Sequence, residues 1–431
     1  MKHFTISCIA VAMAFTSLHA GEVTHGPWLF NPDSDSLSIG FTTDTPTGGG
    51  IELRKKGTEE WTKYYDIRHG RKFDRSGDHV INLINLAPGS EYEYKLIVFE
   101  PWSLEEKTLE ETYSFKTLPE NPDSYQVFIT SDLQFPNERR AEVLNNLLSK
   151  ENAEASDYLF LIGDLADVLN DFETEALQGY IDPLVRDHKA SYRPISLIRG
   201  NHEWRGNECF RWPEAFASPT GKTYYSFQLG EVLYIVLDCG EDKLDRTPGH
   251  WYTDFNASEQ FRAEQRQWLE DFVQSDKFKN AKFRVVLAHS GPYAQAREFQ
   301  TERMQELVKD LLNGTDAENC IHLWLAGHEH VYIRGTAGSD TVVTYHADDD
   351  NKSCTRLSGK DWNFTIAAND GPGYGGVDVT GMVMKVTPET ITVRSYDEEG
   401  TVFDAFEITV DGNCKELLDA DKLETFTIRT E

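Results

Sequence analysis

The sequence predicts a two-part α/β protein, an N-terminal β-sandwich followed by a layered α/β domain. Two observations carry this expectation. Residues 22 to 119 offer short segments in which apolar and polar side chains alternate between turn residues, with no helical period. From Tyr125 onward, short continuous apolar runs alternate with helical stretches, the pattern of strands buried on both faces.

In the first part, Leu37, Ile39 and Phe41 alternate with Ser38 and Gly40. Similar segments are Ile51 to Arg54, Thr62 to Ile67, Val80 to Leu86, Tyr92 to Val98 and Tyr113 to Thr117. Pro88 and Gly89 turn the chain into a strand that sets Tyr92 and Tyr94 on one face, suited to packing against a second sheet. A fibronectin type III-like sandwich is therefore expected over residues 22 to 119. No ligand-type cluster stands out in it, so a structural role is its default reading. The turn residues from Pro119 to Ser124 mark a boundary.

In the second part, strands are expected at Tyr125 to Ile129, Tyr158 to Ile162, Ile195 to Ile198, Val232 to Leu237, Phe283 to Leu287 and Ile321 to Leu325. Helices are expected at Glu138 to Leu148, Ala257 to Val273 and Arg303 to Leu312. The layered domain is placed at residues 124 to 400. Residues 401 to 431 hold two further strand-like stretches and read as a sheet edge or a short extension.

The chemistry follows the strands. Asp132 and Gln134 come after the first, in TSDLQ; Asp164 and Asp167 after the second, in IGDLAD; Asn201, His202 and Glu203 after the third, in RGNHE. His289 follows VVLA, and His328 and His330 lie in LAGHEH. Open α/β sheets bind ligands beyond the carboxyl ends of their strands. Any one of these residues alone is an ordinary turn or cap residue, and Gly163, Gly200 and Gly327 alone are ordinary turn glycines. Five strand ends with ligand-type residues, in a chain with only 13 His, argue for a shared site.

Composition limits the partners. With 42 Lys and Arg against 72 Asp and Glu, the formal charge is -30, which repels nucleic acid and anionic membranes. Nucleic acid is not expected as a primary partner. Lys2 and His3, the apolar run from Phe4 to Leu18 and the small residues Ala20 and Gly21 form a secretory leader, with residues 1 to 20 removed and the chain left in the periplasm or outside the cell. That run is too short for a convincing membrane span, so no stable span is expected after processing. The five cysteines beyond it include no close CxxC pair, so no disulfide framework or zinc ribbon is indicated. Nothing here indicates an oligomeric state.

Between Asp132 and His330 these motifs occur in the order seen in the calcineurin-like metallophosphoesterases, and the whole resembles purple acid phosphatases. The segments LAPGSEYEY and YSFKTLP resemble the end of the fibronectin-like domain that precedes such catalytic domains. Two positions depart from the purple type, Gln134 in place of Gly and Asp167 in place of the Tyr that ligates ferric iron. The purple iron chemistry is therefore not expected.

The resemblance implies a phosphomonoesterase with a dinuclear centre of divalent or mixed-valence Fe, Mn, Zn or Co, acting on a small phosphate ester through a metal-bound hydroxide. A phosphodiesterase or nucleotidase on the same core is the alternative, and a non-catalytic surface protein the remaining one. Two cations would lower the pKa of bound water and neutralise the transferring group, which is how an acidic protein holds an anionic substrate. By the same resemblance, Asp132 and His330 hold the first metal, with Gln134 or Asp167 as possible additions. Asn201, His289 and His328 hold the second, and Asp164 bridges. His202 faces the substrate as a general acid, and Glu203 orients His202 or another ligand. Arg205 is expected to bind a phosphate oxygen, and Trp204, His250 with Trp251 and Tyr252, and Tyr293 to wall the pocket. GPGYGG, Gly371 to Gly376, lacks the Lys and Ser or Thr of a nucleotide P-loop, so no ATP site is expected.

Overall fold

The computed structural model describes residues 21–431 apart from 102–104, 249–253, 294–300, 309, 314–319, 340, 346–361, 372–378, 419–422 and 428–431. The leader expected at residues 1 to 20, His250 to Tyr252 and most of GPGYGG lie outside the described residues.

Tyr158–Ile162 shows why the second part folds as layers. Leu159 and Leu161 enter a core on one side of the sheet, while Tyr158, Phe160 and Ile162 enter another on the opposite side. A strand alternates its faces, so only a sheet covered on both sides can use five apolar residues in a row. Helices Asn137–Leu148, Asp182–His188 and Arg211–Phe216 cover the first side, through residues such as Leu144, Leu147, Leu184 and Phe216. The other side packs on a second sheet through Phe227, Tyr234, Val285 and Leu325. Helices Ser258–Phe272 and Thr301–Val308 close the far side of that sheet with Leu269, Met304 and Leu307. Two sheets are thus sandwiched between helical layers.

The first sheet has ten strands. Its order runs from Cys414–Glu416 through Val402–Thr409, Thr390–Asp397, Thr380–Val386, Tyr125–Thr130, Tyr158–Ile162 and Ile195–Ile198 to Val23–Phe30, Leu37–Thr43 and Asp78–Leu83. The second has eight: Tyr225–Leu229, Val232–Val236, Phe283–Leu287, Leu323–Ala326, Thr365–Ala368, Tyr332–Gly335, Thr341–Tyr345 and Glu424–Thr427. Both carry a parallel centre with antiparallel flanks.

The N-terminal part is a β-sandwich whose second sheet contains Tyr113–Lys116, Glu91–Phe99, Gly48–Lys55 and Thr62–Tyr65, with Glu106–Thr108 beside Glu91–Phe99. Tyr92 and Tyr94 point into its core, stacked on Phe115 and Tyr113. Its other sheet is not separate. Val23–Phe30, a strand absent from the expectation, pairs in parallel with Ile195–Ile198 through Phe30 and Ile195 and so extends the ten-stranded sheet. The Tyr94 hydroxyl donates to Ser191 O at 2.8 Å, and Ser191 Oγ donates to Pro27 O at 2.7 Å, fastening the two parts.

Candidate metal centre

Register decides where the polar residues emerge. Thr130 pairs with Leu161 and Ile162 with Ile198, so the three strands end together and release Asp132, Asp164 and Asn201 at one edge. In the second sheet Leu287 pairs with Leu325, which aligns the ends leading to His289 and His328. Hydrogen bonds then cross between the sheets. His289 Nδ1 lies 2.7 Å from Ile162 O, and His328 N donates to both carboxylate oxygens of Asp132 at 3.0 Å.

The result is two triads. Asp164, His289 and His328 form one, and Asp132, Asp164 and His330 the other, each with candidate ligand atoms within 4.8 Å of one another. Asp164 belongs to both. Asp132, Asp164, His328 and His330 all adopt positive φ, at 55°, 53°, 74° and 52°, an uncommon conformation for non-glycine residues that recurs four times at this one site. The backbone also approaches closely: a Cβ on Gly200 would lie 2.2 Å from Asp164 Oδ1, and one on Gly327 2.1 Å from Asp132 Oδ2. These glycines are therefore more than turn residues.

The donor chemistry fits cations. With Nδ1 of His289 donating to Ile162 O, its Nε2 is a buried lone pair without a hydrogen-bond partner, 3.0 Å from Asp164 Oδ2. Two lone pairs face each other there, an arrangement that a positive charge between them relieves. The neighbouring carboxylates favour a positive charge at this spot, and where no ion supplies it a proton on His289 Nε2 does. Burial opposes a charge on His289, yet Asp164 and Asp132 outweigh it and carry its pKa up to about 10. Burial and the positive His289 push His328 the other way, down to about 3, leaving that imidazole neutral as a ligand must be.

Around the triads, Asn201 Oδ1 lies 3.0 Å from His328 Nδ1. Gln134 donates from Nε2 to Asp164 Oδ2 at 3.0 Å, and its Oε1 is buried without a hydrogen-bond partner. Asp167 joins neither triad. Its carboxylate is 74% exposed and lies 3.1 Å from His202 Nδ1, while its main-chain oxygen lies 2.7 Å from the same nitrogen. His202 sits beside the triads, with Nε2 3.7 Å from Asp164 Oδ2 and its main-chain N–H donating to Asp164 Oδ1 at 2.9 Å. Glu203 is fully buried and accepts from the main chain of Gly200, Asp164 and Leu165 at 2.8, 3.0 and 2.7 Å, so it orients Asp164 rather than the His202 ring.

Among the expected pocket residues, Tyr293 needs correction, and Trp204 and Arg205 have partners within the protein. Tyr293, expected as a wall, is buried in the core, stacked on Trp362 and bonded to the carbonyls of Gly335 and Phe364. Trp204 packs against Arg199 and Phe261, with its indole N–H on Asp238 at 3.1 Å, so it buttresses the site. Arg205 does not project as an unpaired cation: it is bonded to Glu241 and Asp242 and reaches His202. His250 lies outside the described residues.

Two strand ends went unread in the sequence. Val232–Val236 leads to Asp238, Glu241 and Asp242, in LDCGED, and Thr365–Ala368 leads to Asn369 and Asp370, both buried. A Cβ on Gly371 would lie 2.2 Å from Asp132 Cβ, which places the second of these ends against the site. The signal was the same in both, polar residues directly after an apolar run.

The family model of the calcineurin-like phosphoesterases matches residues 125–332. No curated protein matches the chain. Among solved structures, the chain is similar to a purple acid phosphatase, PPD1, isolated from yellow lupin (Lupinus luteus) seeds. The TM-score is 0.59 at 17% identity, over 89% of this chain and 74% of that one. It is also similar to PhoD, with a TM-score of 0.55 at 15% identity over 91% of each chain. At these identities the likeness is one of fold. With an N-terminal β-rich domain ahead of it and candidate metal ligands gathered at its strand ends, residues 125–332 form a calcineurin-like phosphoesterase domain.

Proposed function

We propose that the protein is an exported, metal-dependent hydrolase of phosphate esters, acting on phosphomonoesters. The observation that carries this reading is the pair of triads sharing Asp164, because two adjacent cations can stabilise both the attacking and the leaving oxygen of a phosphoryl transfer. Asp132, Asp164 and His330 would hold one ion, with Gln134 Oε1 as a further oxygen. Asp164, His289, His328 and Asn201 would hold the other. When bound, such ions activate water and offset charge on the phosphoryl group. Mixed oxygen and nitrogen donors accommodate Fe, Mn, Zn or Co.

The chain's own residues do the rest. Gln134 and Glu203 orient Asp164, one through its side chain and the other through its main-chain N–H. His202 stands beside Asp164 with Asp167 fixing its ring through Nδ1, and it protonates the departing alkoxide from Nε2 once that nitrogen, the acceptor of Arg205 Nη1 in this structure, takes up a proton. Export rests on the leader at residues 1 to 20. Among the described residues no helix is long and apolar enough to cross a membrane.

A second reading, a phosphodiesterase, is favoured by Arg205, whose charge is offset by Glu241 and Asp242 and so is less suited to the second charge of a monoester. Assays of protein loaded with Mn, Fe, Zn or Co on 4-nitrophenyl phosphate, bis(4-nitrophenyl) phosphate and AMP decide between them. Turnover highest on the monoesters supports the reading, turnover highest on the diester replaces it with the second, and no turnover with any metal rejects both.

A further inference from the structure

Helices Ser258–Phe272 and Thr301–Val308 pack against each other, and a cleft of about 190 Å³ opens between them, lined in part by Arg262, Ala263, Arg266 and Arg303 with Glu259 and Glu306. Arg266 ties the two walls together. Its Nη1 donates from the first helix to the carbonyls of Glu306 and Leu307 on the second, at 2.9 and 3.0 Å, and its other nitrogens face Glu270 and Asp310. The remaining two arginines are not satisfied in this way. Arg262 is only 6% exposed; its Nη1 donates to Cys239 O and Glu241 O at 3.0 and 3.1 Å, while its Nη2 is buried with no hydrogen-bond partner. Arg303 Nε is likewise buried without a partner. The carboxylate paired with Arg303, that of Glu306, stands 4.0 Å from Nη1 and is 74% exposed.

We infer that this cleft is a binding site for a small tetrahedral oxyanion of the phosphate or sulfate type, held between Arg262 and Arg303. It shares no residue with the candidate metal centre and does not rest on the proposed function. Three observations lead to it. Buried N–H donors without acceptors cost free energy, and an oxyanion offers acceptors in every direction. The two guanidinium groups also feel each other: burial, and with it the charge of Arg303, lowers the pKa of Arg262, so an anion between them relieves both penalties. The cleft has room for such an ion, and the planar guanidinium fork matches its oxygens. Glu259 and Glu306 lie exposed, where water weakens their competition for the arginines. Because Arg262 also holds the carbonyls of Cys239 and Glu241, the site adjoins the LDCGED loop.

Arg303→Gln and Ala263→Glu test the site. The first removes a charge and an unpartnered N–H, and the second brings a carboxylate to the lining of the cleft to compete with the anion. Wild type and variants loaded with the same metal are dialysed to equilibrium against labelled inorganic phosphate, with metal content, unfolding midpoint and turnover of 4-nitrophenyl phosphate recorded on the same samples. Both variants should bind about one phosphate per chain fewer than wild type, through a loss of about tenfold or more in affinity at this site. Metal content and kcat should stay within about twofold of wild type. The same dialysis against labelled sulfate shows which of the two anions the site prefers. Wild-type uptake of both anions by either variant overturns the inference, and so does a phosphate lost together with metal, which would belong to the metal centre. A wild type that hydrolyses no ester removes the proposed function and leaves this test standing.

Discussion

The buried carboxylate of Glu203 accepts the main-chain N–H of Asp164 at 3.0 Å, so the residue shared by both triads is held by the GNHE loop of the neighbouring strand. The same carboxylate also takes the N–H groups of Gly200 and Leu165, which locks two strand ends together. Glutamine would present one oxygen where these donors need two. Glu203→Gln should weaken metal affinity about 10- to 100-fold, measured by competition with a chelator. Wild-type affinity in this variant would contradict the role given to Glu203.

Gly200 and Gly327 test the close packing of backbone on carboxylate. An alanine Cβ at either position would meet an oxygen of Asp164 or Asp132 at 2.2 or 2.1 Å, so the carboxylate must move. Gly200→Ala and Gly327→Ala should each reduce copurified metal and lower kcat by about 100-fold. An alanine variant that keeps its metal and its rate would show that these approaches do not matter.

The N-terminal part bears on folding as well as on shape. Its strand Val23–Phe30 covers the edge of Ile195–Ile198, and the Tyr94 hydroxyl satisfies a carbonyl at Ser191. Removing residues 21 to 119 would expose a sheet edge that ends beside Asn201. The truncated chain should aggregate or show a Tm lower than that of the full chain by calorimetry. A monomeric truncation with an unchanged Tm would refute the structural dependence.

Two histidines should give opposite pH dependence. Burial lowers His79 to about 3, so the folded state excludes a proton that the unfolded chain takes up near its ordinary 6.5. Its contribution falls as pH drops below 6.5 toward 3, by up to about 1.4 kcal/mol per pH unit. His25 is raised, chiefly by its hydrogen bond to Asp182, so its contribution is present below 6.5 and lost as pH climbs through the raised value. Urea unfolding at about pH 4, 6 and 8 should show His79→Gln flattening the acid side and His25→Gln the alkaline side. Parallel profiles for the variants and wild type would contradict both assignments.

The strand ends were legible because burial on both faces writes itself as a continuous apolar run, as in Tyr158–Ile162, and the residue after it must then sit at the sheet edge. What lay beyond reach depended on contacts distant in sequence. Nothing local to Arg205 announces Glu241, and nothing near Tyr293 announces the carbonyls of Gly335 and Phe364 that bury its hydroxyl. The pairing of Phe30 with Ile195 is likewise invisible to a reading that treats the sandwich as a separate bead. The π-helical segment Glu173–Ile181, with its wider turn, escapes a search tuned to the α-helical period.

The most direct measurement is elemental analysis of purified wild type beside Asp164→Ala, with hydrolysis recorded on the same samples. Loss of the shared carboxylate should reduce about two ions per chain to fewer than one and abolish turnover in step. Two ions retained by Asp164→Ala, or full turnover by a wild type stripped of metal, would contradict a cage built around Asp164.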